Sequence, residues 1–259
     1  YDVGAMRHHR WARGDWQLLP WLLGQVPSPT DADPISRSIP QVGRWKMADN
    51  LRRTLSAPTA ILALLAGWTL PPGAALIWTL FVLATIVLSP IIPVLAAIPP
   101  RRAGITLASH MRALGGDLRL SLALSGLVIT FLAHQAWLMG DAIIRTLYRL
   151  FVSQRNMLEW IPAAQAAAGR DLTLTGFYRQ MAGALVVAAA ALGLSVLSGQ
   201  GTWPLALLFG LLWSASPAVA LRVSLPRKLG GLATATPEDA LALRLDARRT
   251  WRFFESFVT

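Results

Sequence analysis

Along the chain, charge-free apolar runs alternate with short basic segments, and this alternation sets the expected elements. Residues 55–70 carry no Asp, Glu, Lys or Arg and stop at Pro71-Pro72-Gly73. Residues 74–98 form a longer charge-free run. It is long enough to cross a hydrocarbon layer of about 30 Å, with Pro90 and Pro93 placed to kink it. Together the two runs predict a transmembrane hairpin over 55–98. Residues 181–197 and 203–221, joined by Gly199-Gln200-Gly201-Thr202, predict a second hairpin within 179–222. Between the hairpins, 120–140 is a further apolar run, but it holds His134 and Gln135 beside Trp137. Polar side chains at membrane depth face protein or a cavity by default, which makes both functional candidates. The plainer alternative is that His134 lies at the interface, near the end of its segment.

The segments between these runs have helical spacing. Over 40–53, Trp45, Met47 and Leu51 recur among Arg44, Lys46, Asp49, Arg52 and Arg53, which predicts an interfacial amphipathic helix with Arg52 and Arg53 at the membrane edge. Residues 18–23 predict a short apolar helix near the interface. Three prolines within 26–34 predict a loop. Residues 103–118, with His110, Arg112 and Asp117, predict a moderately polar helix; 141–160 predict an amphipathic one, with Ile143, Ile144, Leu147, Leu150 and Phe151 on one side. Thr236-Pro237-Glu238-Asp239 is a helix start, combining a Thr cap, Pro at the first position and acids in the first turn. The helix that follows places Leu241, Leu243, Leu245, Trp251 and Phe254 among arginines, as for packing on a soluble domain.

The fold class expected is mainly α: a polytopic membrane helical bundle with amphipathic interfacial helices, both ends cut from larger soluble domains. Tyr1-Asp2-Val3-Gly4 has neither a Met nor the pattern of a signal peptide, and the chain ends within an expected helix. The expected divisions are 1–24, the edge of a preceding soluble domain; 25–54, loop and interfacial helix; 55–98, the first hairpin; 99–178, interfacial helices with the segment 120–140; 179–222, the second hairpin; and 223–259, a linker and the start of a following domain. Composition agrees with a membrane protein, at 54% hydrophobic and 14% charged residues. The formal net charge of +11 is spread between apolar runs rather than gathered on one face, which argues for anionic lipid and against nucleic acid as the partner. There is no cysteine, so neither a disulfide framework nor a thiolate metal site is available. The turns at 71–73 and 199–202 carry no charge, while the longer connections are basic, so the turns are expected outside and both chain ends in the cytoplasm. That arrangement requires 120–140 to be re-entrant or interfacial; a full span there would put 141–179 outside.

Candidate chemistry is concentrated in Arg7-His8-His9-Arg10-Trp11-Ala12-Arg13-Gly14-Asp15-Trp16-Gln17. So many cations and imidazoles are costly to bury without an anion, and guanidinium forks bind phosphate oxygens in pairs. Indole rings offer flat faces on which a sugar can stack. The segment therefore reads as a site for a nucleotide sugar or glycan, or as a basic-aromatic anchor among lipid headgroups. Asp15 is a conceivable base, although pairing with Arg10 or Arg13, or capping a helix, is the plainer role. Asp31-Ala32-Asp33 has a spacing that holds divalent metals in many glycosyltransferases, but it sits in the proline loop with no strand before it, which favours a simple loop.

Arg7-x-x-Arg10-Trp11 resembles the Gln/Arg-x-x-Arg-Trp motif of processive family-2-type glycosyltransferases, with Arg7 where Gln is usual. The string from His9 to Gln17, with Arg44-Trp45-Lys46, Asp49-Asn50-Leu51-Arg52-Arg53, Ala133-His134-Gln135-Ala136-Trp137-Leu138-Met139-Gly140-Asp141 and Arg248-Arg249-Thr250-Trp251-Arg252-Phe253-Phe254-Glu255, more specifically resembles the bacterial cyclic β-1,2-glucan synthases. The resemblance implies a transferase of the bacterial inner membrane that extends a β-glucan from UDP-glucose, with an upstream transferase domain and a downstream phosphorylase-like domain. It implies that Arg7 and Arg10 lie by the donor diphosphate or acceptor and that Trp11 is a stacking platform. Arg13, Asp15 and Trp16 belong to the same substrate-binding string without individual roles. The catalytic carboxylate and the ligands of a divalent metal, Mg or Mn, are implied upstream, so no catalytic or metal-binding residue is expected here and the chain alone is expected to be inactive. The rival readings are a membrane channel or transporter, and a scaffold anchoring soluble domains.

Overall fold

A computed structural model describes residues 1–24, 39–99, 106–155, 157, 173–225 and 236–257. Asp31-Ala32-Asp33 lies outside these. The chain forms two compact units, Tyr1–Ser224 and Leu225–Thr259. In the first, α1 (Asp2–Gln17), α2 (Leu19–Leu22), α3 (Gln41–Gly67), α4 (Pro72–Ala96), α5 (Leu107–Tyr148), α6 (Leu174–Gln180), α7 (Ala182–Leu197) and α8 (Trp203–Ser224) pack as an all-α bundle, and the second holds α9 (Pro237–Phe257). No strand occurs among the described residues.

Two of these helices join segments that hydropathy separates. Helix α3 fuses the basic amphipathic stretch to the apolar one, with Pro58 inside it. Its charge-free part, 54–67, rises about 21 Å, short of the hydrocarbon thickness. Helix α5 runs without reversal from Leu107 to Tyr148, about 63 Å, and takes in the expected polar helix, the apolar run and much of the amphipathic helix. A π-helical turn, Arg149–Ser153, extends it, and Gln154 in a left-handed conformation ends it. Among the described residues, three helices are long and apolar enough to cross a membrane: α4, α5 with its π turn, and α8; α6 and α7, bent by 62° at their junction, count as a fourth if taken as one broken span.

The core is built on tryptophan and alanine. Trp68, at the end of α3, and Trp213 of α8 are fully buried with Phe209 between them, their ring centroids 5.4–6.1 Å apart. Around them pack Ile61 and Leu64 of α3, Ala133 and Ala136 of α5, and Ala184, Ala188 and Ala191 of α7. Small residues at these positions let helix backbones approach where lipid tails supply no hydrophobic drive between helices. The two uncharged turns meet at one end of the bundle. Thr202 donates its hydroxyl to the Trp68 carbonyl and pairs with Ser195 Oγ at 2.8 Å, while Trp68 Nε1 donates to Thr79 Oγ1 at 3.0 Å. Gly199 and Gly201 make the second turn with positive φ, which side chains with a Cβ resist.

Glycine also sets the hairpin contact between α3 and α4. A Cβ on Gly67 would lie 2.2 Å from Trp78 Cδ1, and Trp78 is held by its Nε1 bond to the Ala63 carbonyl at 2.7 Å. Gly67→Ala is therefore expected to destabilise the bundle by about 1–3 kcal/mol, the usual cost of overpacking, measured as a lowered unfolding midpoint in detergent. A wild-type midpoint would mean that Trp78 leaves this position freely.

In the second unit, α9 begins at the helix start read from sequence, and the structure makes it a reciprocal capping box. Thr236 Oγ1 accepts from the Asp239 N–H at 3.1 Å, and Asp239 Oδ2 accepts from Thr236 N at 3.0 Å. Hydrogen bonds from the Thr236 side chain and backbone hold the Asp239 carboxyl below the usual carboxylate range.

Candidate functional site

The Arg-Trp cluster folds as helix α1, seated on α5 and running in the same direction. The Tyr1 ring stacks on Phe131 at 4.1 Å, and His9 Nε2 meets Asp141 Oδ2 at 2.8 Å, where Arg145 also donates to Oδ1 at 2.7 Å. Ala12, fully buried, rests on Met139 and Ala142, and Gln17 Nε2 donates to the Met157 carbonyl at 2.7 Å. Two bonds tie α1 to α3. Asn50 Nδ2 donates to Asp15 Oδ1 at 3.1 Å, and Trp16 Nε1 donates to Thr54 Oγ1 at 2.9 Å, whose hydroxyl donates to the Leu51 carbonyl. These contacts fix the rotation of α1 about its axis and so decide which of its side chains face outward.

The face left over forms one wall of a groove of about 1040 Å³ between α1, α3 and α5. At its mouth stand His8, Arg10, Trp11 and Asp15 from α1, with Asn50 and Arg53 from α3. Trp11 is 58% exposed, so a broad ring face is open to a ligand. The Arg7 guanidinium lies 5.1 Å from the Trp11 ring centre and the His8 ring lies 5.9 Å from it. Such a ring, with a cation against it one helical turn away, is a rigid platform for a sugar face. Arg10, half-buried at the same mouth, places a charge-assisted donor beside it.

Of the six residues singled out by sequence, the groove gathers Arg10, Trp11 and Asp15. Arg7 touches it only through the Trp11 ring. Arg13 and Trp16 do not line it, and Trp16 is a structural bolt to Thr54. Asp15 is engaged by Asn50, and its carboxyl is held above the usual carboxylate range, first by desolvation, against the lowering effect of the Asn50 bond. A carboxyl raised in this way supports the fold while protonated; that support is present below the unfolded value and is lost as pH rises through the folded one. Asp15→Asn is thus expected to raise the unfolding midpoint at neutral pH and to lose that advantage in acid, which paired thermal scans would check.

Asn50, Arg53 and Gln135 line the groove as well; sequence reasoning named Gln135 a functional candidate at membrane depth but gave Asn50 and Arg53 no site role. Their signal was present: Asn50 and Arg53 lie three apart on one helix face, and Gln135 interrupts an apolar run. Gln135 Nε2 donates to the Tyr1 hydroxyl at 3.1 Å. His134 does not line the groove. It is 2% exposed beneath the Tyr1 ring, at 5.8 Å, and its Nδ1 has no hydrogen-bond partner among the described residues. Asp49 points away and takes hydrogen bonds from Arg52 and Arg53, which hold its carboxyl below the usual range. Among the described residues, no group of three or more His, Asp or Glu side chains is placed to hold a metal ion.

No family model matches the chain. It is 39% identical, over 260 residues and along its whole length, to the cyclic beta-(1,2)-glucan synthase NdvB of Rhizobium meliloti, and it spans about 9% of that protein's length. The resemblance drawn from the ordered sequence strings therefore holds along the whole chain.

Proposed function

We propose, from the premise that this chain corresponds to a segment of a cyclic β-1,2-glucan synthase, that it is the membrane part of a processive inverting glucosyltransferase using UDP-glucose. The observation that carries this reading is the placement of Arg10 and Trp11 together at the mouth of a groove, in a chain 39% identical to such a synthase. In an inverting transfer, a carboxylate takes the proton of the acceptor hydroxyl while negative charge grows on the departing diphosphate. Fixed cations at the position of the growing charge lower the barrier. Arg10 supplies such a cation, and Trp11 presents its face to the acceptor glucose. The catalytic base and the ligands of a divalent metal are supplied by other parts of the full-length protein, and Asp15 serves to position Asn50 at the groove.

Trp11→Ala in the full-length protein tests the reading. Loss of the stacking face, worth about 1–1.5 kcal/mol, is expected to slow incorporation of glucose from UDP-glucose into β-1,2-glucan by roughly tenfold, with membrane insertion intact. Undiminished glucan output would remove Trp11 from the acceptor site. Output that stays high while membrane association weakens would instead mark α1 as a headgroup anchor.

A further inference from the structure

The groove changes character along its length. Its mouth is polar, but beyond Ala57 and Ala60 of α3 its walls are mainly apolar, with Ile86, Leu124, Val128 and Phe131, and its polar groups there, Gln135 and the Tyr1 hydroxyl, are bonded to each other. Every residue that α5 contributes falls between 124 and 139, inside the stretch 120–140 that carries no charged side chain. That stretch rises about 31 Å, the thickness of the hydrocarbon layer. Ala57 and Ala60 lie one helical turn apart, and their short side chains leave open the space that the groove occupies. A glucan bears hydroxyls on every residue and would leave most of them without partners against this wall, where the Gln135 amide is already engaged by Tyr1. An amphiphile satisfies both ends, with an acyl chain along the apolar wall and an anionic head at the mouth.

We propose that the apolar part of the groove holds an acyl chain of an anionic phospholipid, with its phosphate on Arg53 at the mouth. Charge complementarity selects an anionic over a zwitterionic head. Arg53 is largely exposed and pairs with Asp49 at 2.6 Å, and its five-donor fork serves a carboxylate and a phosphate together. Asp15 is the opposing charge at this end, and the Asn50 amide covers one of its oxygens. The bound lipid completes the floor beneath Trp11. The proposal follows from the shape and lining of the groove and does not rest on the glucan reading.

A photo-crosslinking side chain, benzoylphenylalanine, introduced at Val128 of the full-length protein in nanodiscs of phosphatidylcholine with a minor phosphatidylglycerol component tests this. Leu124 is the second groove position, should bulk at Val128 close the groove, and Leu88, exposed on α4, reports bulk lipid. Mass spectrometry of the adducts is expected to show phosphatidylglycerol enriched several-fold at a groove position over Leu88. Arg53→Gln is expected to return the ratio to that of the bilayer. Bulk lipid ratios at both groove positions, enrichment that survives Arg53→Gln, or adducts carrying hexose would each overturn the proposal. Enrichment abolished by excess inorganic phosphate would assign Arg53 to a free anion and overturn it equally. Glucan output is measured separately on the same protein, so bulk lipid ratios at the groove positions with output retained refute this inference alone.

Discussion

Replacing Arg10 by alanine in the full-length protein is expected to lower the rate of glucan synthesis by about two orders of magnitude. That is the usual consequence of removing one preorganised donor from a developing anion. Two features make the estimate specific to Arg10 rather than to the whole cationic helix. Arg10 stands at the mouth of the groove with Trp11, whereas neither Arg13 nor Arg7 lines it, Arg7 lying over the Trp11 ring. In addition, α1 is held on α5 by other side chains, His9 on Asp141 and Ala12 on Met139 and Ala142, so truncating Arg10 leaves its seat in place. Arg10→Lys keeps the charge but loses the planar fork, and an intermediate rate is expected. The measurement is labelled-glucose incorporation in membranes, with the unfolding midpoint as a control. A wild-type rate in Arg10→Ala would take Arg10 out of the transition state.

The second large effect concerns stability. Trp213→Ala is expected to destabilise the bundle by about 3–5 kcal/mol, because the ring is fully buried and the hole left by its loss is walled by rigid neighbours. Those neighbours are Trp68 and Phe209, and the indole Nε1 also donates to the Ile129 carbonyl at 3.2 Å, linking α8 to α5. Pro217 follows one turn later and cannot donate to the Trp213 carbonyl, and the Ser216 hydroxyl takes that bond at 2.7 Å. Trp213→Phe fills most of the volume and is expected to recover more than half of the loss. An unchanged midpoint for Trp213→Ala in detergent would mean that stability resides elsewhere in the bundle.

Several parts of this architecture were legible in the residue order. Helices α4 and α8 follow from charge-free runs, the intervening turns from Pro71-Pro72-Gly73 and Gly199-Gln200-Gly201-Thr202, and the start of α9 from its Thr cap and first-turn acids. The lengths of α3 and α5 were not legible. Hydropathy stops wherever Arg112, Asp117 or Asp141 interrupts it, but a helix needs only continuous backbone hydrogen bonds and tolerates charges where they reach water or a partner. Asp141 has such partners in His9 and Arg145. His134 shows the same limit from the other direction. Its place beside the end of an apolar run is compatible with an exposed interfacial position, yet the docking of α1 through Tyr1 buries it.

The sequence by itself determined that the chain is helical and membrane-associated and where most apolar helices run, and it singled out the Arg-Trp segment as the candidate site. Those properties depend on side-chain character and local spacing. Only the tertiary structure decided that Arg10, Trp11 and Asp15 share a groove with Asn50 and Arg53 while Arg13 and Trp16 do not. The rotation of α1 about its axis makes that division. It is set by contacts more than a hundred residues away along the chain, at Phe131, Met139, Asp141 and Ala142, together with Asn50 and Thr54 on α3, and no periodicity within α1 encodes which of its faces those partners will take.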